Sequence, residues 1–316
     1  MGDLRRRPLG AQGEKKVVNG YKLVAPIGEG TFGKVFLAVC PNGKQSVALK
    51  RIVLKDEANG LPLSLLREIS ILRQLSHRYI IKILDVFIED EAKVLLLAKT
   101  SFVLYIAFAY AKTDLLSLIN KKEVKFPHAL QFTGELLSAL AYLQAKNVVH
   151  RDIKPANILV SEANELWLAD FGLAREVSRG NMTPGVVTRW YRAPELLLNG
   201  SIYGPGVDVW AAGCVIAEML TGSPLFYSDS ETEQLLQIAE LCGDLTPEMF
   251  KANQIDELGL QMLSLPVQSG QSSYVQNYFA EYSYHISILL SKMLQANPKY
   301  RITASEALAY FEQFLQ

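Results

Sequence analysis

Apolar positions in the first third of the chain come in short blocks. Val35-Phe36-Leu37-Ala38-Val39 and Val47-Ala48-Leu49 are rich in β-branched and aromatic side chains and are separated by Gly, Pro, Asn and charged residues. That pattern predicts a series of strands from Tyr21 to Tyr110. One helix interrupts it: Pro62 suits a first helical turn, and Leu65, Leu66, Ile69 and Leu72 then recur on one face. After Asp114 the period changes, with Leu130, Leu136, Leu137, Leu140 and Leu143 repeating at helical spacing. The expected fold is α+β and bilobal, with a small β-rich part carrying one key helix over residues 19–111 and a larger, mainly helical part over 112–316. Residues 1–18 carry Arg5 to Arg7, Lys15 and Lys16 without periodicity and read as a flexible basic tail. A cleft joining two such parts is the usual place for a ligand.

The most apolar stretch, 94–111, reads VLLLAKTSFVLYIAFAYA. Lys99, Thr100 and Ser101 split it into two pieces of strand length, which suits a sheet core and not a membrane span. Lys+Arg 32 against Asp+Glu 32 leaves no net field to draw the chain to nucleic acid or membrane. Cys40, Cys214 and Cys242 are few, odd in number and far apart, so neither a disulfide framework nor a zinc signature is present, and a reducing compartment is expected. No apolar leader follows Met1, and Arg6 stands where a myristoylation motif wants Ser or Thr.

The chemistry is concentrated in His150-Arg151-Asp152-Ile153-Lys154-Pro155-Ala156-Asn157 and, shortly after, Asp170-Phe171-Gly172. Asp152 is a candidate base for a hydroxyl, Asn157 and Asp170 supply oxygens of the kind that hold Mg²⁺, and Lys154 can offset charge on a transferred phosphoryl group. A polar turn followed by a loop is the competing account, but it leaves the coincident spacings unexplained. Gly28-Glu29-Gly30-Thr31-Phe32-Gly33-Lys34-Val35 is a Gly-rich loop whose backbone N–H groups can approach phosphates. Strand-like sequence follows it where a dinucleotide-binding loop would open a helix, so that reading loses its context. Lys50 ends the apolar run Val47-Ala48-Leu49, and Glu68 follows on the helix; as a pair they would hold an ammonium against the α and β phosphates. A surface Lys and an exposed helical Glu are the bland alternative.

With these motifs in place the chain resembles the eukaryotic protein kinases from about Tyr21 to Phe314. Ala193-Pro194-Glu195, Asp208-Val209-Trp210 and Arg301 extend the likeness. Lys154 after Asp152, together with Thr188, resembles the Ser/Thr kinases. Pro62-Leu63-Ser64-Leu65-Leu66-Arg67-Glu68-Ile69 and Val186-Val187-Thr188-Arg189-Trp190-Tyr191-Arg192 look like a cyclin-dependent kinase of the CMGC group.

The resemblance implies a proline-directed Ser/Thr kinase that uses ATP and Mg²⁺, is activated by a cyclin-like subunit, and works in cell-cycle or transcription control in the nucleus and/or cytoplasm. It implies catalytic roles for Asp152, Lys154, Lys50, Glu68 and Thr188. Ile27, Val35, Ala48, Phe108, Leu159 and Ala169 would wall an adenine site, and Ala109, Tyr110 and Ala111 would offer it backbone hydrogen bonds. Ordinary core packing competes for each apolar residue. Thr183 stands where the family is phosphorylated by an activating kinase, with Arg67, Arg151 and Arg175 to read the phosphate. Glu195 would pair with Arg301, and Asp208 would hold the catalytic loop. Two departures stand out: Phe32 replaces a Tyr that many relatives carry, leaving Thr31 as the loop hydroxyl, and about ten residues near 94–103 look inserted. The rivals are a mitogen-activated kinase, against which Gly185 stands where a Tyr is usual, and a catalytically silent scaffold, against which Lys50, Asp152 and Asp170 all stand.

Overall fold

The computed structural model describes residues 17–30, 33–54, 62–90, 102–176, 189–243, 245–255, 261 and 274–315. The chain divides into two compact units, one formed by Met1–Arg73 with Ile81–Ala111, the other by Gln74–Ile80 with Lys112–Gln316.

The strand-length blocks of the first unit form one antiparallel sheet. In chain order its strands are β1 (Val17–Val18), β2 (Tyr21–Gly30), β3 (Gly33–Val39), β4 (Ser46–Leu54), β5 (Ile83–Asp90) and β6 (Phe102–Ala109), and in space they run β1-β2-β3-β4-β6-β5. The split apolar run thus yields a strand, β6, paired on both edges, where an apolar sequence is buried from both sides. One face carries Val18, Ala38, Val47, Leu49, Val103, Tyr105 and Ala107 as a core, with Tyr21, Phe87 and Tyr105 stacked in sequence at 5.5 and 5.2 Å. The opposite face packs Ile52, Leu104 and Ile106 against Leu65 of α1 (Leu63–Gln74).

Helix α1 turns Leu65, Ile69 and Leu72 inward as the period suggests, but not Leu66. Leu65, Glu68, Ile71 and Leu72 are buried, whereas Leu66 is 43% exposed and Leu63 75% exposed. Phe102 and Val103, which the sequence assigns to the apparent insertion, belong to β6 and pair with Leu54 and Val53. The remainder of that segment, 94–101, lies outside the described residues.

Segment Gln74–Ile80 belongs to the second unit although it lies inside the stretch 19–111 assigned to the first. Its attachments explain why: Ser76 N–H donates to Tyr142 Oη at 2.9 Å, the His77 ring stacks on Tyr142, Leu168 N–H donates to the Tyr79 carbonyl, and Arg78 pairs with Glu165. The second unit is built on α3 (Phe126–Ala145) and α5 (Gly206–Thr221). Helix α5 is buried from Val207 to Met219, as expected of a helix apolar on all sides, and ends at Gly222 with φ +81°. Helix α3 meets α9 (Ala304–Leu315) so closely that a Cβ on Gly134 would lie 2.8 Å from the Phe311 ring. Around them lie α2 (Leu115–Asn120), α4 (Pro194–Leu197), α6 (Glu231–Cys242), α7 (Val275–Phe279) and α8 (Tyr284–Met293). Among the described residues five short strands complete the unit. β7 (Thr113–Asp114), β9 (Ile158–Val160) and β10 (Leu166–Leu168) form a sheet ordered β10-β9-β7, and β8 (Val148–Val149) pairs with β11 (Arg175–Glu176). Among the described residues no helix is long and apolar enough to cross a membrane.

Candidate active site

In the first unit, cross-strand register puts Val35, Ala48, Lys50 and Phe108 on one face of the sheet: Val35 is opposite Lys50, Ala48 is opposite Phe108, and the strand period sends alternate residues to the same side. This is also the face on which α1 packs. Lys50 Nζ lies 3.1 and 3.3 Å from the two oxygens of Glu68, which is 3% exposed. With side-chain exposures of 16% and 4%, the pair is largely withdrawn from water, so removing either partner would leave a poorly solvated, uncompensated charge. Ile27 is 45% exposed at the end of the Gly-rich loop. Gly28 and Glu29 sit in β2, opposite Val35 and Lys34 of β3, and Gly30 pairs with Gly33. Gly33 cannot be replaced there without movement: its φ is +156° and an added Cβ would fall 1.9 Å from the Arg51 carbonyl oxygen. Thr31 and Phe32 lie outside the described residues. In the connector, Ala109 N–H already donates to the Lys82 carbonyl at 3.2 Å, so a donor for a purine edge has to come from farther along, at Tyr110 or Ala111.

The second unit assembles the acid–base residues. The loop after β8 is held from below by Asp208 of α5, whose two oxygens accept the N–H groups of His150 and Arg151 at 2.7 and 2.8 Å. That hold sustains an Arg151 φ of +70°, a conformation uncommon outside Gly. Burial pushes the Asp208 carboxyl up to about 6, while the two N–H donors pull it back. His150 is fully buried with its ring edge-on to Phe171 at 4.7 Å. Its Nδ1 accepts the Asp152 N–H at 3.2 Å and its Nε2 faces the Ala169 carbonyl at 3.0 Å, which defines one neutral tautomer. Burial lowers its pKa to about 4, consistent with that neutral state.

Asp152 is the centre of the arrangement. Its Oδ2 accepts from Lys154 Nζ at 3.0 Å and from Asn157 Nδ2 at 2.8 Å, while its Oδ1 is buried and has no hydrogen-bond partner among the described residues. Burial raises the Asp152 pKa, and Lys154 followed by Asn157 opposes the rise. A carboxylate held on one oxygen and vacant on the other is shaped to receive a hydroxyl. Asn157 Nδ2 also donates to the Asp152 carbonyl at 2.9 Å, which commits the amide's nitrogen side to Asp152 and leaves its oxygen for another group. Asp170 is exposed, with φ +61° and ψ +72°, and its Oδ1 receives the Gly172 N–H at 3.4 Å. The β9–β10 hairpin keeps Asn157 and Asp170 together: Ile158 pairs with Leu168, and Ala169 N–H donates to the Asn157 carbonyl at 2.9 Å. An amide oxygen and a carboxylate, both hard oxygen donors, fit Mg²⁺, which keeps several waters and takes further ligands from phosphates. Leu159 is half-buried in β9 and Ala169 is buried just before Asp170.

Of the arginines expected to read a phosphate, Arg151 donates through Nε to the Leu173 carbonyl at 2.7 Å and through Nη1 to Tyr203 Oη at 3.0 Å. Arg175 lies opposite Val149 in the β8–β11 pair, and Arg67 is half-buried on α1. Thr183 and Thr188 lie outside the described residues. Two supports were given no role by the motifs. Tyr203 is one, and the buried Tyr191 hydroxyl on Glu218 at 2.7 Å is the other; both join residues far apart in the chain by groups that are ordinary singly. Lower in the unit, Arg301 clamps Glu195 through two bonds of 2.6 and 2.9 Å with both side chains buried.

Residues 21–311 match the protein kinase domain family. The chain belongs to that family. Within it the likeness is to cyclin-dependent kinases of the Ser/Thr, CMGC type. The chain is 36% identical over 302 residues to cyclin-dependent kinase C-2 of Oryza sativa subsp. japonica, covering 92% of this chain and 58% of the relative. It is 38% identical over 294 residues to cyclin-dependent kinase 12 of Caenorhabditis elegans, covering 91% and 40%, and 37% identical over 300 residues to cyclin-dependent kinase 9 of Danio rerio, covering 91% and 79%. It therefore spans about half the length of the first two. The chain's bilobal fold, with a β-rich first unit and a helical second unit, is that of the family.

Proposed function

We propose that this chain transfers the γ-phosphoryl group of ATP to Ser or Thr followed by Pro in protein substrates, with Mg²⁺, and that a cyclin-like subunit activates it for cell-cycle or transcription control in the nucleus and/or cytoplasm. The observation that carries the reading is the vacant, buried Oδ1 of Asp152 beside Lys154 and Asn157. Asp152 Oδ1 orients the acceptor hydroxyl and takes its proton as the oxygen attacks the γ-phosphorus, and the bond from that phosphorus to the β–γ bridging oxygen breaks to release ADP. Lys154 Nζ, kept near that carboxylate, offsets charge that builds on the transferred group. Asn157 and Asp170 would hold Mg²⁺, which would neutralise phosphate charge. Lys50, steadied by Glu68, meets the α and β phosphates, while Ile27, Val35, Ala48, Phe108 and Leu159 supply apolar contact to the base.

The family name of the relatives supports a cyclin partner, and exposed Leu63 and Leu66 on α1 offer a face for one. Thr183, by the resemblance, is the target of an activating kinase, and its phosphate would recruit Arg67, Arg151 and Arg175. The test compares three peptides alike except at the acceptor and the next residue. Ser-Pro should be phosphorylated by the cyclin-bound chain, with Ser-Ala well below it and Tyr-Pro not at all. Equal rates on Ser-Pro and Tyr-Pro would refute the Ser/Thr assignment, and equal rates on Ser-Pro and Ser-Ala would refute proline direction.

A further inference from the structure

Arg151 stands between His150 and Asp152, and its side chain is held at two points. Nε donates to the Leu173 carbonyl at 2.7 Å, and Nη1 donates to Tyr203 Oη at 3.0 Å. The first bond reaches the turn that carries a candidate metal ligand, because Asp170 caps the short helical turn Phe171–Leu173. The second reaches the loop that leads into α5, where Tyr203 is buried at 9% exposure. That loop is itself fixed. Ile202 N–H donates to the Asn253 carbonyl at 3.1 Å, and Asn253 Nδ2 donates to the Ile202 carbonyl at 2.8 Å. Farther along, Asp208 accepts the Arg151 N–H at 2.8 Å, so the arginine's backbone and the tip of its side chain are both referred to the same end of α5.

The turn needs such restraint. Asp170 takes φ +61° and ψ +72°, a conformation uncommon outside Gly, and its own carboxylate steadies it only through the Gly172 N–H at 3.4 Å. Its Ala169 end is fixed to Asn157 by a backbone bond of 2.9 Å, and beyond it Arg175 and Glu176 pair with Val149 and Val148. The Leu173 end depends on the side chain of Arg151. An arginine gives up many rotamers on docking, and a second fixed contact at Nη1 reduces what is left to lose.

We propose that Tyr203 is a positioning residue for the metal site: its hydroxyl holds Arg151 in the rotamer that ties down Leu173, and this keeps Asp170 in register with Asn157 for Mg²⁺. The inference rests on the reading that Asn157 and Asp170 hold the metal. Tyr203 touches neither metal nor nucleotide; it acts through Arg151. Asn157 is secured separately, by its two bonds to Asp152, so loosening the Arg151 tie displaces one ligand against the other instead of moving both together. The bond to Tyr203 has a charged donor, which makes its loss costlier than that of a neutral pair.

The probe is Mn²⁺, a paramagnetic ion of the same hard-oxygen preference as Mg²⁺. Its binding to the full chain saturated with ADP is read by electron paramagnetic resonance, and metal-free ADP binding is read by calorimetry in EDTA. Tyr203→Phe should weaken Mn²⁺ binding by about fivefold or more, as expected for a lost hydrogen bond to a charged group, and bind metal-free ADP like the parent. Tyr191→Phe, which removes another buried hydroxyl, should bind Mn²⁺ like the parent. In an Arg151→Met background Tyr203→Phe should add no further loss, since its effect passes through that side chain. Unchanged Mn²⁺ affinity in Tyr203→Phe, an equal loss of metal-free ADP binding, an equal loss in Tyr191→Phe, or full additivity with Arg151→Met would each overturn the proposal. Asp170→Asn tests the reading beneath it. Mn²⁺ binding lost in Asp170→Asn but kept in Tyr203→Phe overturns the proposal alone, whereas undiminished binding in Asp170→Asn overturns both. Thermal unfolding verifies that each variant is folded. Should Tyr203→Phe unfold, ¹⁵N spectra of the Arg151 guanidinium in the parent decide: resolved Nη signals support a side chain held at Nε and Nη1, and a single averaged signal overturns it.

Discussion

At Asp152 two influences oppose each other: burial raises the carboxyl pKa and Lys154 lowers it. Because the base must be ionised to accept a proton, its pKa sets the acid limb of the rate profile. Replacing Lys154 by Met removes the opposing charge, so the acid limb of kcat/KM should move to higher pH while kcat falls; a pH profile on one peptide substrate checks it, and an unmoved limb would detach Lys154 from Asp152. The identity of both residues was legible in the sequence, because their spacing to Asn157 and Asp170 is specific. The vacancy of Asp152 Oδ1 was not. It depends on which oxygen Lys154 and Asn157 occupy, a matter of side-chain rotamers that no motif records.

Elements place these residues. The catalytic loop rests on α5 through Asp208 and on the β9–β10 hairpin through His150, and both supports titrate. His150 has a folded pKa of about 4 against 6.5 when free, so its neutral form contributes stability that is complete above pH 6.5 and lost as pH falls through about 4. Asp208 acts in the opposite sense: raised to about 6 from 3.8, it favours folding below 3.8 and loses that contribution as pH rises through 6. The two nearly cancel in the parent. A His150→Phe variant leaves Asp208 alone in that window, so its stability relative to the parent should fall by up to about 3 kcal/mol between pH 4 and 6.5. Urea denaturation at several pH values checks this, and parallel curves would contradict it.

Sequence period read α3 and β6 well, because nearly all of their buried positions are apolar. In α1 it placed Leu65, Ile69 and Leu72 on the inner face but misplaced Leu66, which faces outward, because Glu68 is drawn inward by Lys50. It also missed that Gln74–Ile80 joins the second unit, since the aromatic stack of His77 on Tyr142 links residues with no common local pattern. The β5–β6 connection is a separate matter. Asp90 pairs with Phe102, so the strand ends are already adjacent and a short turn can join them. Deleting 94–101 should leave a folded chain whose ATP affinity changes by no more than a few-fold; calorimetry measures it, and failure to fold would show that the segment is structural.

For the molecule as a whole, two separate groups of residues must act together: the Lys50–Glu68 pair in the first unit, and Asp152, Lys154, Asn157 and Asp170 in the second. The family resemblance made this division legible early, since the motifs fall in order along the chain. A kinase in which a partner stabilises the productive position of one element gains turnover on binding more than ATP affinity, because the partner shifts a population. The most direct test measures γ-phosphate transfer from Mg·ATP to a Ser-Pro peptide by the chain alone, by the chain with a cyclin-like subunit, and by an Asp152→Asn variant with the same subunit. The expected result is weak transfer alone, a large rise in kcat with the subunit, and a loss of about 10²–10⁴-fold in the variant at unchanged ATP affinity. Equal transfer by Asp152→Asn and the parent would contradict the account.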